Sequence, residues 1–479
     1  MSKRFVFIGL IVGFATPVFA GGPLVMNSDG TAATWDTSDS NPIELDPEAG
    51  VCGSFTNAQM VTLLTTNVEE WSGISGVDLS FSVQTGVITV DVTSSNYTTW
   101  YTTDSSSTGF LDGINPVFFD NDGTITDAIF GSGSRFTTLG GAGADSFDSA
   151  GNIIGAEAVF NCRCLSGNSS CPGGVVFTTD DLNFTMTHEI GHAIGLDHTQ
   201  VNQAIADAAI DENSDTVTAC ADGVTVDGVT RSCDDIPAMY PIAIDSATQI
   251  VPTRDDEVAL LTLYGASGWD SSLCTISGSL TDSSGNPLRC ADVHAETSDP
   301  ADTIAIVSGA FATATDTNGD NYTDGSGECT SNCGDFTLRG LDPAKSYTIT
   351  VNPLNTASAD GTTWVGSASI SPCGTAQLTG IVQESIGTSS SCSAGNTVAL
   401  GALTTTSTGG ISSGGSGSSS SSSSGVSCAL NPAATSANPF SWSSALILIF
   451  LFYGMIASLR LGMTRRTREQ FLEKRQPIR

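Results

Sequence analysis

The stretch Thr187-His-Glu-Ile-Gly-His-Ala-Ile-Gly-Leu-Asp-His198 decides how this 479-residue chain is read. The sequence holds four histidines, and three of them, His188, His192 and His198, fall here. Residues four apart share one helix face, so His188 and His192 point at one ion. Glu189 follows the first of them, within reach of a water on that ion. Gly195 can take the left-handed conformation that ends a helix, and the chain then turns back to bring in His198. Three imidazoles with one open position form the ligand set of a catalytic zinc rather than of a closed structural one.

Outward from this motif the pattern is α+β. Thr179-Asp180-Asp181 supplies an N-cap and an acidic first turn. Leu182, Met186, Ile190, Ala193 and Ile194 make an apolar stripe that faces away from the histidines, as packing on a sheet requires. Upstream, Met60, Leu63, Leu64, Val68 and Trp71 have helical spacing, with Thr56 or Asn57 as the cap. Residues 21–33 are polar and read as extended. Val77–Val92 alternates and reads as one or two strands, and Gly151–Asn161 reads as a strand whose Gly-Ala interruption favours a sheet edge. Downstream, residues 199–235 form a long acidic insertion, in which Cys220 and Cys233 can close a hairpin around Asp227-Gly228. Arg254–Gly265 then reads as a helix with an acidic first turn and a terminal glycine. Asp120, Asp122 and Asp127 surround Gly123 as either a calcium loop or a plain Asx-turn loop.

His188-Glu-Ile-Gly-His-Ala-Ile-Gly-Leu-Asp-His198 resembles the zinc motif of the metzincin metallopeptidases, and its Gly-Leu-Asp-His ending resembles the matrixin branch. Ala238-Met239-Tyr240-Pro241 is similar to the matrixin Met-turn. Asp255-Asp256 through Leu263-Tyr264-Gly265 is similar to the closing helix of matrixin catalytic domains. The resemblance covers residues 34–265. It implies a twisted mixed sheet with helices, split by a cleft over one catalytic Zn2+ held by His188, His192 and His198. It further implies Glu189 as the general base and Met239 as a floor beneath the metal. An extended polypeptide substrate would pair with an edge strand, by similarity of position the one near Gly155–Asn161. Asp197 is either a support for the site from behind or a solvated loop carboxylate. The sequence departs from the family in three ways. The gap from His198 to Met239 is long, no histidines remain for a second, structural zinc, and no pro-segment with a cysteine switch is apparent.

From Cys274 the texture changes to short alternating strands. Residues 274–403 resemble a carboxypeptidase-regulatory-like β-sandwich, on the run Gly334-Asp-Phe-Thr-Leu-Arg-Gly-Leu-Asp-Pro343. Within it, Asp316, Asn318, Asp320 and Asp324 have calcium-loop spacing, although the glutamate expected at position twelve is displaced by one. His294 reads as structural.

The ends describe an exported chain. Residues 1–20 have a basic start, an apolar run and Val18-Phe19-Ala20, the pattern of a signal peptide. Residues 404–427 are a Gly/Ser-rich linker. Pro439–Leu459 is uncharged and long enough to cross about 30 Å of hydrocarbon as a transmembrane helix. The basic tail 460–479 follows and would stay inside. This tail resembles the sorting signals of Gram-negative exported proteins, which are cut, and it equally fits a single-pass membrane anchor. The thirteen cysteines suit disulfides in an exported protein. Cys162/Cys164/Cys171, Cys220/Cys233, Cys329/Cys333 and Cys373/Cys392 are neighbours in sequence, which leaves the pairing open. The count is odd, and Cys428 is the candidate left over.

The formal net charge is -34. Apart from the two ends, seven Lys/Arg face 48 Asp/Glu. Such a surface repels phosphates and excludes nucleic acid as a partner. The leading expectation is an exported, surface-tethered zinc endopeptidase acting on extracellular proteins. The rival is a non-catalytic surface adhesion or structural protein with a metal-stabilised domain, and the intact Glu189 argues against it.

Overall fold

The computed structural model describes residues 22–27, 29–37, 41–101, 113–165, 177–209, 220, 223–244, 247–314, 329–353, 381–389, 392–408 and 429–430. The chain divides into two compact units, residues 1–432 and 433–479, and every described residue belongs to the first. The signal-peptide segment, most of the Gly/Ser linker, the apolar span, the basic tail and Asp316–Asp324 lie outside the described residues. Among the described residues no helix is long and apolar enough to cross a membrane.

The fold is mixed α+β, with five α-helices among the described residues. Its first half contains β1 (Ile43–Pro47), α1 (Asn57–Ser72), β2 (Phe81–Val83), β3 (Pro116–Asp120), α2 (Thr124–Phe130), β4 (Gly140–Phe147), β5 (Ile153–Asn161) and α3 (Thr179–Ala193). It continues through α4 (Gln203–Ala209), the hairpin β6 (Val224–Val226) and β7 (Val229–Arg231), β8 (Ile242–Ala243) and α5 (Arg254–Tyr264).

Five strands form one sheet in the order β2-β1-β3-β5-β4. All pair in parallel except β4, which runs antiparallel to β5. The edge expectation for Gly151–Asn161 is therefore corrected: β5 is internal, and β4 holds the edge. The reason is burial on both faces. Ala158 and Phe160 of β5 enter the core beneath the helices, whereas Val159 packs on the opposite face with Ile88, Val92 and Phe118. A strand covered on both sides belongs inside a sheet.

Helices α1 and α3 cover one face, with Met60, Leu64, Val68 and Trp71 meeting Leu182, Met186 and Ile190 in a single core. Each fully buried side chain of this size contributes roughly 1.5–3 kcal/mol. α1 starts at a capping box between Thr56 and Gln59. The stretch Val77–Val92 yields only the three residues of β2. Its later part is loop, and Ile88 and Val92 plug the second face of the sheet from there.

The extended reading of residues 21–33 holds at the bridges Pro23–Leu196 and Met26–Ala32, and a turn closed by Asn27 N to Thr31 O interrupts it. Leu24, Met26 and Ala33 are buried, and Leu24 N donates to Gly195 O at 2.6 Å. This segment lies along the loop that follows α3. The insertion folds around its own small core of Ile205, Ala209, Val224, Ile236 and Tyr240, and Cys220–Cys233 is bridged as expected. Asp227 (φ 49°) and Gly228 (φ 78°) form the tight hairpin turn, which needs two left-handed residues.

The second half comprises β9 (Cys274–Thr281), β10 (Ala291–Glu296), β11 (Ile304–Val307), β12 (Thr313–Ala314), β13 (Cys329–Ser331), β14 (Asp335–Leu341), β15 (Tyr347–Pro353), β16 (Glu384–Ser389) and β17 (Thr397–Thr404). Sheets β11-β10-β15-β16 and β14-β9-β17 enclose one core containing Ile276, Leu280, Val293, Ile349 and Val351. The domain runs past residue 403. Thr405 and Ser407 are buried, and Ser407 O accepts from Ser283 N.

Two further disulfides, Cys52–Cys162 and Cys274–Cys392, join residues far apart in sequence, and Cys164, Cys290 and Cys333 are also disulfide-bonded. Sequence proximity thus located Cys220–Cys233 but not the partner of Cys392.

Candidate metal centre

Helix α3 is fixed at its start by a capping box one residue earlier than expected. Thr178, rather than Thr179, is the N-cap, and its side chain accepts from Asp181 N while Thr178 N donates to Asp181 Oδ2 at 2.7 Å. Its end is fixed by a full set of partners for carbonyls that a helix terminus leaves open. Trp35 Nε1 donates to Ala193 O at 2.9 Å, and the Tyr264 hydroxyl donates to Ile194 O at 2.7 Å. Gly195 takes φ 88°, as the motif requires, and Leu196 N returns to Gly191 O at 2.9 Å.

The turn brings three imidazoles together. The Nε2 atoms of His188, His192 and His198 are separated by 3.0, 3.1 and 3.0 Å. His188 Nδ1 donates to Ala238 O and His192 Nδ1 to Leu196 O, both at 2.8 Å. With the proton held at Nδ1, the Nε2 atoms of His188 and His192 present lone pairs to the centre of the cluster. Burial, together with the neighbouring rings, pushes His188 and His198 well below the usual histidine range; burial takes His192 down to about 4. Neutral, convergent lone pairs repel one another unless a cation lies among them, so this donor set fits a metal ion. Imidazole nitrogen suits zinc and related divalent ions. Among the described residues this is the single group of three or more His, Cys, Asp or Glu side chains that could hold a metal.

The surroundings orient these ligands. Ala238, which holds His188 through its carbonyl, has its own N–H bound to Asp256 Oδ2 at 2.8 Å, and Met239 N binds Asp256 Oδ1 at 3.1 Å. The same carboxylate caps α5 through Thr253 N at 2.7 Å. Asp256 therefore links α5 to the turn at Ala238-Met239 and that turn to His188, the kind of outer support that would tune a metal site. Asp197 is buried and accepts from His198 N at 2.8 Å, so it supports the loop and is not a solvated carboxylate. On the other side, Trp71 Nε1 donates to Thr187 O at 2.8 Å, and the Thr187 hydroxyl donates to Asn67 Oδ1 at 2.9 Å.

Glu189, next in sequence to His188, is fully buried and lies against the edge strand. Gly140 of β4 allows that approach, because a Cβ there would lie 3.1 Å from Glu189 Cγ and 2.7 Å from Thr185 Cγ2. The residues missed from sequence are Asn67, Gly140, Gly191 and the role of Asp256. Asn67 had left a signal, as the polar member of an otherwise apolar helix face.

The first calcium expectation resolves differently. Asp120 Oδ2 accepts from the N–H and hydroxyl of Thr126, both at 2.7 Å. Asp122 accepts from Thr124 N at 2.9 Å. Asp127 pairs with Arg135. The three carboxylates serve separate local partners around the start of α2, and the Asx-turn reading describes them. In comparisons with known proteins, no family model, no curated protein and no solved structure matches this chain.

Proposed function

We propose that this chain is an exported, surface-tethered zinc endopeptidase of the metzincin type, in its matrixin branch, that hydrolyses peptide bonds of extracellular proteins. The observation that carries the reading is the juxtaposition of three neutral, convergent imidazoles with buried Glu189 beside the edge strand β4. Three disulfides joining described cysteines support an oxidising, extracellular setting. The apolar span 439–459 and basic tail 460–479 would tether the protein or be removed after export.

A zinc ion held by His188, His192 and His198 would supply Lewis acidity and lower the pKa of a water to about 7. Glu189 takes the proton from the attacking water and returns it to the amine nitrogen as the peptide bond breaks. Among the described residues β4 pairs on one side only, so its other backbone edge would accept an extended substrate as a further strand. Asp256 and Asp197 keep the ligands oriented, and Met239 closes the floor.

The test is cleavage of a peptide library by zinc-loaded wild type and by Glu189→Ala. The expected result is a loss of about 10²–10⁴-fold in kcat with zinc content unchanged. Equal turnover by the two proteins would rule the reading out.

A further inference from the structure

A cavity of about 330 Å³ lies where the two halves of the described chain meet. Val258, Ala259 and Leu263 of α5 line it on one side, and Ile304 and Ile306 of β11 and Leu338 of β14 line it on the other. Its walls are held from both directions. Ala259 belongs to the core of the first half, whereas its neighbour Val258 belongs to the core of the β-sandwich. Ala305 N of β11 donates to Asp255 Oδ1 of α5 at 2.8 Å, and Arg254 Nη2 of α5 donates to Gly340 O of β14 at 2.7 Å. Helix and strands are thus tied together around the cavity, which is a fixed feature of the packing and not a loose hinge between domains.

The lining is apolar apart from Thr262, Thr337 and one charge, Arg339. Among the described residues no aspartate or glutamate lines it, although 48 of them stand against seven Lys/Arg between the ends of the chain. Arg135, Arg254 and Lys345 each meet a carboxylate. Arg339 meets none within ion-pair distance among the described residues. It is half-buried next to the exposed Thr337, which puts the mouth of the cavity on the β14 side. The ladder between β14 and β9 shifts register between Leu338 and Leu341, and Gly340 takes φ 72° there. Irregularities of this kind re-aim side chains beside binding sites, and this one flanks Arg339.

We propose that this cavity binds a small monocarboxylate with an apolar body of about eight carbon atoms, a size that follows from ~30 Å³ for each water-sized group. The body lies against Val258, Leu263, Ile304 and Ile306, and the carboxylate sits on the Arg339 guanidinium, whose planar fork matches two oxygens. A single guanidinium neutralises one negative charge, so a monoanion fits and a phosphate ester or a dicarboxylate does not. The volume lies within the range of about 300–1,000 Å³ typical of small-molecule sites, which combine apolar walls with a few orienting polar groups. The site shares no residue with the histidine triad and does not rest on the reading of that triad.

The experiment titrates octanoate into the full chain in lipid nanodiscs by calorimetry, with empty nanodiscs as the blank and with octanol and acetate as comparison ligands. Wild type is compared with Arg339→Gln, which removes the charge, and with Leu263→Trp, which fills the space. Wild type is expected to bind one octanoate per chain, to bind octanol about tenfold more weakly, and to show no response to acetate. Arg339→Gln is expected to weaken octanoate about tenfold, the scale of a lost hydrogen bond to a charged group, and to leave octanol unchanged. Leu263→Trp is expected to abolish both. No saturable octanoate binding would overturn the proposal, and so would octanol binding as tightly as octanoate. Octanoate binding that is indifferent to Arg339→Gln and shared by acetate would place the carboxylate elsewhere, such as on an ion at the triad, and would also overturn it. Arg339 is half-buried at the mouth, so its variant keeps the test decisive even if Leu263→Trp fails to fold.

Discussion

Met239 occupies the space that a side chain on Gly191 would need. A Cβ built on Gly191 would sit 2.3 Å from Met239 Sδ, with Trp71 Cζ2 at 3.0 Å on its other side. The glycine between the two helical histidines is thus a packing requirement of the floor beneath them. Gly191→Ala is expected to destabilise the fold by about 1–3 kcal/mol, as overpacking does, despite the better helix propensity of alanine. Thermal unfolding of the metal-free protein measures this; an unchanged or raised midpoint would contradict the packing.

The triad makes metal-free stability sensitive to acid. Burial holds His192 down to about 4, while an unfolded histidine titrates near 6.5. Between those values the unfolded chain binds more protons, so stability falls as pH falls through that window. Denaturant unfolding of the metal-free chain at steps from pH 7 to pH 4 is expected to show this slope, and His192→Gln should reduce it, with His188 and His198 supplying the remainder.

Zinc is expected to raise the unfolding midpoint and a chelator to lower it. A ligand that binds only the folded state at a thousand times its Kd stabilises by about 4 kcal/mol. Scanning calorimetry with zinc, with chelator, and with zinc added to His188→Ala checks this. A zinc response surviving in His188→Ala would place the bound ion elsewhere.

The opposite pH dependence is expected in the β-sandwich. Burial disfavours charge on His294, but Asp292 at 2.6 Å and Glu296 at 3.3 Å overcome it and raise the imidazole to about 10. The folded state then holds a proton that the unfolded chain loses above 6.5. The resulting stability is complete below that value and is lost as pH rises toward 10. His294→Gln should remove most of this alkaline slope in urea titrations between pH 7 and pH 10.

Cys52–Cys162 closes a loop with a sequence separation of 110 and ties the segment before α1 to the residue after β5. Replacing both by serine is expected to cost about 2–5 kcal/mol, read as a lower unfolding midpoint. A change below 1 kcal/mol would show that the surrounding sheet already holds these two segments together.

What could be read from sequence followed local signals. The histidine motif, the stripes of α1 and α3, the acidic start of α5 and the Asp227-Gly228 hairpin all act over a few residues, and all appear in the structure. β4 could not be read, because Gly140-Gly-Ala-Gly-Ala144 lacks the branched and aromatic residues that mark strands. Its place is set by pairing with β5 and by the need for small residues beside Thr185 and Glu189. Asp120, Asp122 and Asp127 look alike in sequence, and only the folded chain sends them to three different partners. The role of Asp256 was hidden for the same reason, since the turn it holds lies 17 residues away. Residues 22–33 carry few apolar side chains, yet Leu24 is buried and Met26 joins the core of the β-sandwich.

β17 runs parallel to β9, so the sandwich takes in the chain at one end and releases it at the other. Cys274–Cys392 clasps the entry side, just ahead of β17. A pull between the half that carries the histidine triad and residues beyond Thr404 would slide these two strands along each other. Their hydrogen bonds would then share the load together instead of peeling apart one by one. The last strand of the domain is therefore laid out to bear tension between the two halves.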